Sequence, residues 1–231
     1  EELARCARAM IILYDEGTKL YEQHEGYYGL PHIDVDEIPV SDFPLYAHWS
    51  YDRIYRTDMI KQPDVLMFMF LYDHEFSLEA KRANYEYYEP RCIHESSLSP
   101  SVHSIMALEL GRHDEAFDFF GFATRMDLDN YNRNSGEGLH TTSIAAAWMN
   151  IVYGFGGMRS DGDALSIDPS LPAKWKSYEL AVLYKGARIG LAVSPESVTL
   201  KVLSGEASGL AVRVYGARRE LGSSPLVIPL P

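Results

Sequence analysis

Residues 141–160 read TTSIAAAWMNIVYGFGGMRS, and the composition of this stretch changes from alanine-rich to glycine-rich. The alanine-rich part from Thr141 to Tyr153 predicts a helix. The glycine-rich segment 154–157 predicts the end of this helix, because glycine is common just past helix C-termini. Its spacing matches neither the dinucleotide-binding nor the P-loop glycine motif. The stretch therefore separates a helical region from a region of a different kind.

The chain before this point reads as a series of helices, and the chain after it as a series of short strands. Helix starts are predicted where prolines or capping side chains precede apolar periodicity, at Pro63, Ser77, Ser99-Pro100 and Asp114. Four β-like runs follow residue 160, separated by Gly, Pro and Ser: 178–184, 187–193, 197–202 and 210–215. We therefore predict a mainly α domain over 1–160, followed by a small antiparallel β-sandwich domain over 161–231.

The composition excludes several function classes. The chain carries 21 Lys and Arg against 33 Asp and Glu, and its net charge of -12 repels phosphate backbones, so no nucleic-acid partner is expected. No apolar run is long enough to span a bilayer, and Cys6 and Cys92 offer no disulfide framework. We therefore expect no membrane partner and a cytoplasmic location. Only seven acidic and four aromatic residues follow residue 160, so the groups that suit sugar ligands are concentrated in the helical region.

Two polar loops lead into predicted helices and contain the residues best suited to chemistry. Residues 91–100 read RCIHESSLSP, and residues 127–140 read DLDNYNRNSGEGLH. Helix N-termini present free N–H groups and a partial positive charge, so these loops could bind an anion. They could equally be helix caps and buried polar networks, and the residues alone leave both interpretations open.

The same loops do not predict a metal site. The segment Asp127-x-Asp129-x-Tyr131 departs from a calcium-binding loop at its third ligand. His94, His103 and His140 lack any short zinc-binding spacing. No Gly-x-Ser-x-Gly motif supports a catalytic serine. We therefore expect no bound metal.

A set of ordered motifs gives the chain a strong resemblance to a known family. They are His48-Trp49-Ser50-Tyr51-Asp52, Lys61-Gln62-x-Asp64-Val65-Leu66, Tyr88-Glu89-Pro90, His94-Glu95-Ser96-Ser97-Leu98-Ser99-Pro100, Gly138-Leu139-His140 and Gly154-Phe155-Gly156-Gly157. In this order they resemble glycoside hydrolase family 65, which contains maltose, kojibiose, nigerose and trehalose phosphorylases. The resemblance covers nearly the whole chain. It implies the second half of an (α/α)6 barrel followed by a C-terminal β-sandwich, with the family's general acid upstream, so the chain alone is expected to be inactive.

The resemblance implies reversible phosphorolysis of an α-glucoside with inversion, giving β-glucose 1-phosphate. Inorganic phosphate is then a co-substrate, and no cofactor is expected. Lys61 and Gln62 would hold the glucosyl hydroxyls, and His94 and Glu95 would bind sugar or orient their loop. The implied phosphate ligands are Arg133, His140 and Ser143, with Ser96 and Ser97 as second candidates. The resemblance places Arg133 where the family's hydrolases carry a glutamate base, and a guanidinium pairs with phosphate but cannot act as a base.

Two other functions stay open at this point. The first is an α-glucoside hydrolase of the same family, which needs a base other than Arg133, with Glu95 or Glu137 as candidates. The second is a non-catalytic glucan-binding or assembly fragment, because the general acid is expected outside the chain. The expected partners are an α-linked glucose disaccharide or oligosaccharide, phosphate, the N-terminal part of the enzyme and a second copy in a homodimer.

Overall fold

A close approach of two backbone segments at Gly157 joins the helices to the strands. In the computed structural model, which describes residues 1–131, 133, 135–160, 162–206 and 209–231, Gly157 has a φ of 57°. A Cβ atom on Gly157 would lie 2.2 Å from the carbonyl oxygen of Asp168. The backbone N–H of Asp168 donates to the carbonyl oxygen of Gly157 at 3.1 Å. Only glycine tolerates both this dihedral angle and this contact, so the junction requires a glycine at position 157.

The described residues before this junction are mainly helical. The α-helices are α1 (Glu2–Ala9), α2 (Leu45–His48), α3 (Tyr51–Tyr55), α4 (Asp64–Leu71), α5 (Leu78–Tyr88), α6 (Ser99–Glu109), α7 (His113–Arg125) and α8 (Thr141–Met149). Two short strands, β1 (Tyr14–Asp15) and β2 (Leu20–Tyr21), pair antiparallel near the start. A π-helical segment, Asn150–Phe155, continues α8. The predicted mainly α region is confirmed at this level.

The observed helix ends can be compared with the helix starts and stops predicted from capping residues and glycines. Ser77 caps α5 as predicted, because its hydroxyl accepts the N–H of Ala80 at 3.2 Å. Ser99 is not a cap but the first residue of α6, and its hydroxyl donates to the carbonyl of Ser96. The helical segment that begins at Thr141 ends at Phe155, with Gly156 as its C-cap, so it stops within the predicted glycine-rich stretch; Gly154 itself lies inside the π-helical segment and packs closely against the side chain of Leu108. The missing Cβ therefore serves helix packing at this position.

The C-terminal region consists of two four-stranded sheets. The strands are β3 (Met158–Arg159), β4 (Leu165–Ile167), β5 (Tyr178–Tyr184), β6 (Ala187–Val193), β7 (Ser197–Ser204), β8 (Ala211–Val214), β9 (Ala217–Glu220) and β10 (Leu226–Pro229). Their orders are β10-β7-β6-β5 and β3-β4-β8-β9. The expectation of purely antiparallel pairing is wrong for β4 and β8, which run parallel with Leu165 opposite Val212. The long chain segment between these two strands carries three strands of the other sheet and makes this pairing possible.

Each region has its own hydrophobic core. The helical core surrounds fully buried side chains such as Met69 and Ile105. The core of the β-rich region takes Ile167 from one sheet and Ile189 and Leu200 from the other, so the two sheets share one cluster. The predicted boundary at residues 160 and 161 lies just after β3; Asp161 itself is outside the described residues, and the exact boundary stays a prediction.

A group of four charged side chains connects the two regions. The guanidinium of Arg159, in β3, contacts Glu109 of α6 and lies 3.2 Å from a carboxylate oxygen of Asp73. Lys81 of α5 contacts the same two carboxylates, at 2.9 Å for Glu109. The Arg159 and Lys81 side chains are only 12% and 7% exposed. We call this group the junction quartet; its two positive and two negative charges balance in a poorly solvated position.

Several large apolar side chains of the helical region face solvent. They include Leu3, Met10, Ile11, Leu128, Leu139, Ile144 and Trp148, each more than half exposed. Within the described residues, none of the helices is both long enough and apolar enough to cross a membrane.

Candidate functional site

A cleft of about 730 Å³ brings three of the predicted site residues together. We call it the Arg133 cleft; it is lined by Asp34, Val35, Asp36, Ile38, Val40, Phe43, Pro44, Glu89, Pro90, Cys92, Ile93, His94, Glu95, Tyr131 and Arg133. It lies between the loop before α2, the loop before α6 and the segment after α7. Its wall therefore combines both polar loops identified in the sequence.

His94 has a strained backbone and a buried ring. Its φ is 50°, a conformation that non-glycine residues rarely adopt. The ring packs edge-on against His103 at 4.6 Å between centroids and tilts against Phe119 at 5.0 Å. Burial, with a smaller effect of His103, lowers the pKa of His94 to about 3. The imidazole is therefore neutral at physiological pH and offers lone pairs rather than a positive charge.

Glu95 holds the start of α2. One of its carboxylate oxygens accepts the backbone N–H of Leu45, and the carboxylate also accepts from the backbone of Tyr46. Burial raises the pKa of Glu95, while these N–H groups and the charge of Lys61 oppose that rise. A carboxylate used in this way ties its own loop to the N-terminus of α2; its predicted role in the site stays a prediction. It is also poorly placed to act as the base of a hydrolase, since the carboxylate already accepts from the backbone of Leu45 and Tyr46.

Arg133 lies at the edge of the same cleft. Its φ is 56°, and its Nη1 donates to the carbonyl oxygen of Phe43 at 2.9 Å. Within the described residues this is the one hydrogen bond of the exposed guanidinium, which has further N–H donors that a ligand could use. Asn132 and Asn134, on either side, are outside the described residues, as is the side chain of Glu137, the other alternative base.

Lys61 and Gln62 line a second cleft, of about 480 Å³. Its other lining residues include the aromatic side chains Tyr27, Tyr51 and Tyr55. The Lys61 ammonium lies 5.6 Å from the ring centroid of Tyr51. It also interacts electrostatically with Glu95, which faces the Arg133 cleft. The charge of Lys61 in the smaller cleft thus acts on a carboxyl of the Arg133 cleft.

The predicted phosphate ligands do not all meet in the described part of the chain. His140 and Ser143 are absent from the lining of both clefts. The Ser143 hydroxyl is buried and donates to the carbonyl of Ala123 at 2.9 Å, so its proton already stabilises the contact between α7 and α8. Ser96 accepts the N–H of Leu98 at 3.3 Å and caps the turn before α6. The phosphate role of these residues, and of the half-buried Ser97, stays a prediction.

Asp127 is a residue that the sequence analysis rejected as a metal ligand and did not otherwise use. Its Oδ1 lies 2.5 Å from Nδ1 of His140, and its Oδ2 accepts the backbone N–H of His140 at 2.9 Å. The hydrogen bond from His140 lowers the pKa of Asp127, so this carboxyl stays ionised. The contact places a proton on Nδ1 and leaves Nε2 for a ligand. A carboxylate before a histidine in one polar loop is the signal that could have identified this pair.

A second group missed from the sequence is formed by Cys92, His94 and His103. One donor atom from each lies within 4.8 Å of the others. The Cys92 thiol is buried, and burial raises its pKa to about 12. His103 is fully buried, which lowers its pKa to about 4 despite a hydrogen bond to the backbone of Ser99. Cys92 and His94 share a loop, whereas His103 is on α6, so only the fold reveals the group.

Comparison with known families gives two consecutive matches. Residues 1–149 match the glycosyl hydrolase family 65 central catalytic domain, and residues 158–221 match the C-terminal domain of the same family. The two matches divide where the helices end and the strands begin.

Comparison with individual proteins points the same way. The chain is 41% identical over 197 residues to maltose phosphorylase of Bacillus subtilis (strain 168), which is 85% of this chain and 26% of that protein. It is 40% identical over 218 residues to kojibiose phosphorylase of Thermoanaerobacter brockii, covering 94% of this chain and 28% of that protein. A solved structure of a putative kojibiose phosphorylase from the human microbiome has a TM-score of 0.90 and 50% identity, covering 98% of this chain and 30% of the other. The chain thus spans between a quarter and a third of the length of these relatives.

Proposed function

Because the chain belongs to glycosyl hydrolase family 65, we propose that it forms part of an inverting phosphorylase that cleaves α-linked glucose disaccharides with inorganic phosphate. The relatives named above, a maltose phosphorylase and a kojibiose phosphorylase, support this substrate class. Since the chain spans less than a third of their length, the activity proposed is that of the full-length protein.

The observation that carries the proposal is the guanidinium of Arg133 at the edge of the cleft that also contains His94 and Glu95. A hydrolase needs a carboxylate there to activate water. A guanidinium instead presents several N–H donors and a permanent positive charge, which suit a phosphate dianion. Glu95, the alternative base, is occupied with the N-terminus of α2. The charge at the cleft therefore favours phosphorolysis over hydrolysis.

In the proposed reaction, a phosphate oxygen attacks the anomeric carbon from the face opposite the leaving sugar. The bond between this carbon and the glycosidic oxygen breaks, and its electron pair goes to the oxygen. This oxygen takes a proton from a carboxylic acid supplied by another part of the full-length protein. Inversion gives β-glucose 1-phosphate and the second sugar.

We assign binding of the sugar and binding of the phosphate to different described residues. Lys61 and Gln62 would hold glucosyl hydroxyls in the smaller cleft, where neighbouring tyrosine rings can stack on the sugar. Arg133 would neutralise the incoming phosphate, with His140 as a second ligand oriented by Asp127. The sugar-binding role of His94 stays a prediction, because its Nε2 is buried and its Nδ1 lies 3.3 Å from the hydroxyl of Ser99.

The proposal extends to the architecture. The helices would be the second half of an (α/α)6 barrel, and the two sheets with their shared core would be a β-sandwich. The exposed apolar side chains on α1 and α8 support this, because the first half of a barrel would cover such a surface. A homodimer, a cytoplasmic location and the lack of any cofactor besides phosphate stay predictions.

The test is an assay of the full-length protein with kojibiose, nigerose, maltose and trehalose at several phosphate concentrations. We expect one of these to give glucose 1-phosphate and free glucose in equal amounts, at a rate that rises with phosphate and saturates. Two glucose molecules for each disaccharide, at a rate indifferent to phosphate, would establish the hydrolase instead. Sugar binding without turnover of any of the four would favour the non-catalytic alternative.

A further inference from the structure

We propose that Cys92, His94 and His103 form a binding site for one zinc ion in the wall of the Arg133 cleft. The sequence predicts no such site because the three residues have no short zinc-binding spacing. The fold brings them together, since the loop that carries Cys92 and His94 turns back onto the first turns of α6, where His103 lies. The inference does not depend on the phosphorylase activity.

The distances suit a site that closes around its ion. The three donor atoms all lie within 4.8 Å of one another. In a tetrahedral zinc site, bonds of about 2.0–2.1 Å to nitrogen and about 2.3 Å to sulfur separate the donors by roughly 3.3–3.7 Å. Small side-chain rotations of about 1 Å would therefore bring all three donors into contact with one ion.

Each of the two histidines has one ring nitrogen without a hydrogen-bond partner among the described residues. Nδ1 of His103 lies 2.8 Å from the carbonyl oxygen of Ser99, which fixes its proton there and leaves the lone pair on Nε2. Nε2 of His103 and Nε2 of His94 are buried and lack a hydrogen-bond partner within the described residues. Buried nitrogens left in this state are costly, and a metal ion would satisfy both at once.

The third ligand and the surroundings select the type of ion. A thiol with two neutral imidazoles is the donor set that zinc prefers, whereas magnesium and calcium require oxygen ligands. Binding converts the Cys92 thiol to a zinc-bound thiolate and releases its proton to solvent. A carboxylate oxygen of Glu89 lies 4.0 Å from Nε2 of His94, so this side chain or a water molecule can fill the fourth position.

The cleft supplies the route of entry. Glu89, Cys92 and His94 all line the Arg133 cleft, so an ion can reach the site without unfolding the chain. The next residue after His94 is Glu95, which holds the N-terminus of α2. A bound ion would therefore fix the loop that shapes the cleft.

The experiment uses the full-length protein without an affinity tag and without exposure to chelators. We expect elemental analysis to find one zinc ion per chain after incubation with zinc and gel filtration. Replacement by cobalt should produce a near-ultraviolet thiolate charge-transfer band and visible bands of a tetrahedral centre. Cys92→Ser should abolish the charge-transfer band and weaken zinc binding at least about tenfold in competition with a chromogenic chelator.

The matched control is Cys6→Ser, because Cys6 is the exposed cysteine on α1. This variant should keep the cobalt spectrum and the zinc affinity of the wild type. If Cys92→Ser does not fold, His103→Gln takes its place, with His113→Gln at the exposed start of α7 as its control. The proposal is overturned if wild-type protein retains no zinc and gives no thiolate band with cobalt, or if Cys92→Ser and Cys6→Ser bind equally well.

Discussion

Replacing Arg133 in the full-length protein should separate its charge from its contact with the loop before α2. Three variants do this: Arg133→Gln removes the charge but can still donate to the carbonyl of Phe43, Arg133→Met removes both, and Arg133→Glu reverses the charge. In the wild type, one donor of the guanidinium is used by Phe43, and the proposal assigns phosphate to donors that have no partner among the described residues. The series therefore changes one property of the side chain at a time.

The expected magnitude follows from the contacts. Loss of one charge-assisted hydrogen bond to phosphate costs about 1.5–3 kcal/mol, which raises the KM for phosphate by roughly one to two orders of magnitude. The lost contact with Phe43 is between a cation and a carbonyl at the surface, so we expect the difference between Arg133→Met and Arg133→Gln to be small. Arg133→Glu should raise the KM further, because repulsion of the dianion is added. It should also release more free glucose, since a carboxylate can activate water.

The assay measures glucose 1-phosphate and glucose over a range of phosphate concentrations at saturating disaccharide. The KM for the disaccharide should change little, which distinguishes a phosphate ligand from a sugar ligand. An unchanged KM for phosphate in all three variants would refute the reasoning and would make Arg133 a loop residue. Wild-type behaviour of Arg133→Gln alone would show that the bond to Phe43, and not the charge, is what matters.

Three further predictions concern side chains around the site and the junction. Asp127→Asn should raise the KM for phosphate less than the Arg133 variants do, because it keeps His140 but removes the carboxylate that orients its ring. An unchanged KM for phosphate would count against a phosphate role for His140. Ser143→Ala should leave the KM for phosphate unchanged and lower only the thermal stability, since its hydroxyl already has a backbone acceptor, and a raised KM would restore it as a phosphate ligand. Arg159→Met should lower the free energy of unfolding by up to about 3 kcal/mol, because it leaves a partly buried carboxylate without its partner, whereas Arg218→Met on exposed β9 should change it by less than about 0.5 kcal/mol. Urea unfolding of both arginine variants checks this, and equal effects would show that the junction charges are well solvated.

Local patterns determine much of the fold. The bounds of β5 and β6 agree with the predicted runs because alternating side chains and the turn at Lys185 and Gly186 are both encoded nearby. The start of α5 was predicted because one hydroxyl, that of Ser77, defines it. Short strands such as β3 and β9 contain too few residues to show an alternation of apolar and polar side chains, so the sequence did not predict them. The parallel pairing of β4 with β8 depends on residues that are far apart in the chain.

The candidate site was predictable in its residue types but not in its grouping. His94 and Glu95 were recognised in one polar loop, and the structure places Arg133 beside them. The sequence could not show that the Ser143 hydroxyl is already donated to a backbone carbonyl, because the acceptor belongs to the preceding helix. Nor could it show that His103 faces Cys92, since this depends on how α6 leaves the loop. Contacts between elements, rather than the residues themselves, decide which polar groups remain for a ligand.

The junction quartet has a consequence for building hybrids between relatives of this chain. A crossover at Gly156 or Gly157 falls between the end of the π-helical segment and the first strand of the sheets. It would take Arg159 from one parent and its two carboxylate partners from the other, so a difference in charge at any of these positions would leave a poorly solvated charge without compensation. A crossover placed before Asp73 keeps all four charges in one inherited block. The unit that can be exchanged between such enzymes therefore begins inside the helical region, before Asp73, and not at the end of the last helical segment at Phe155.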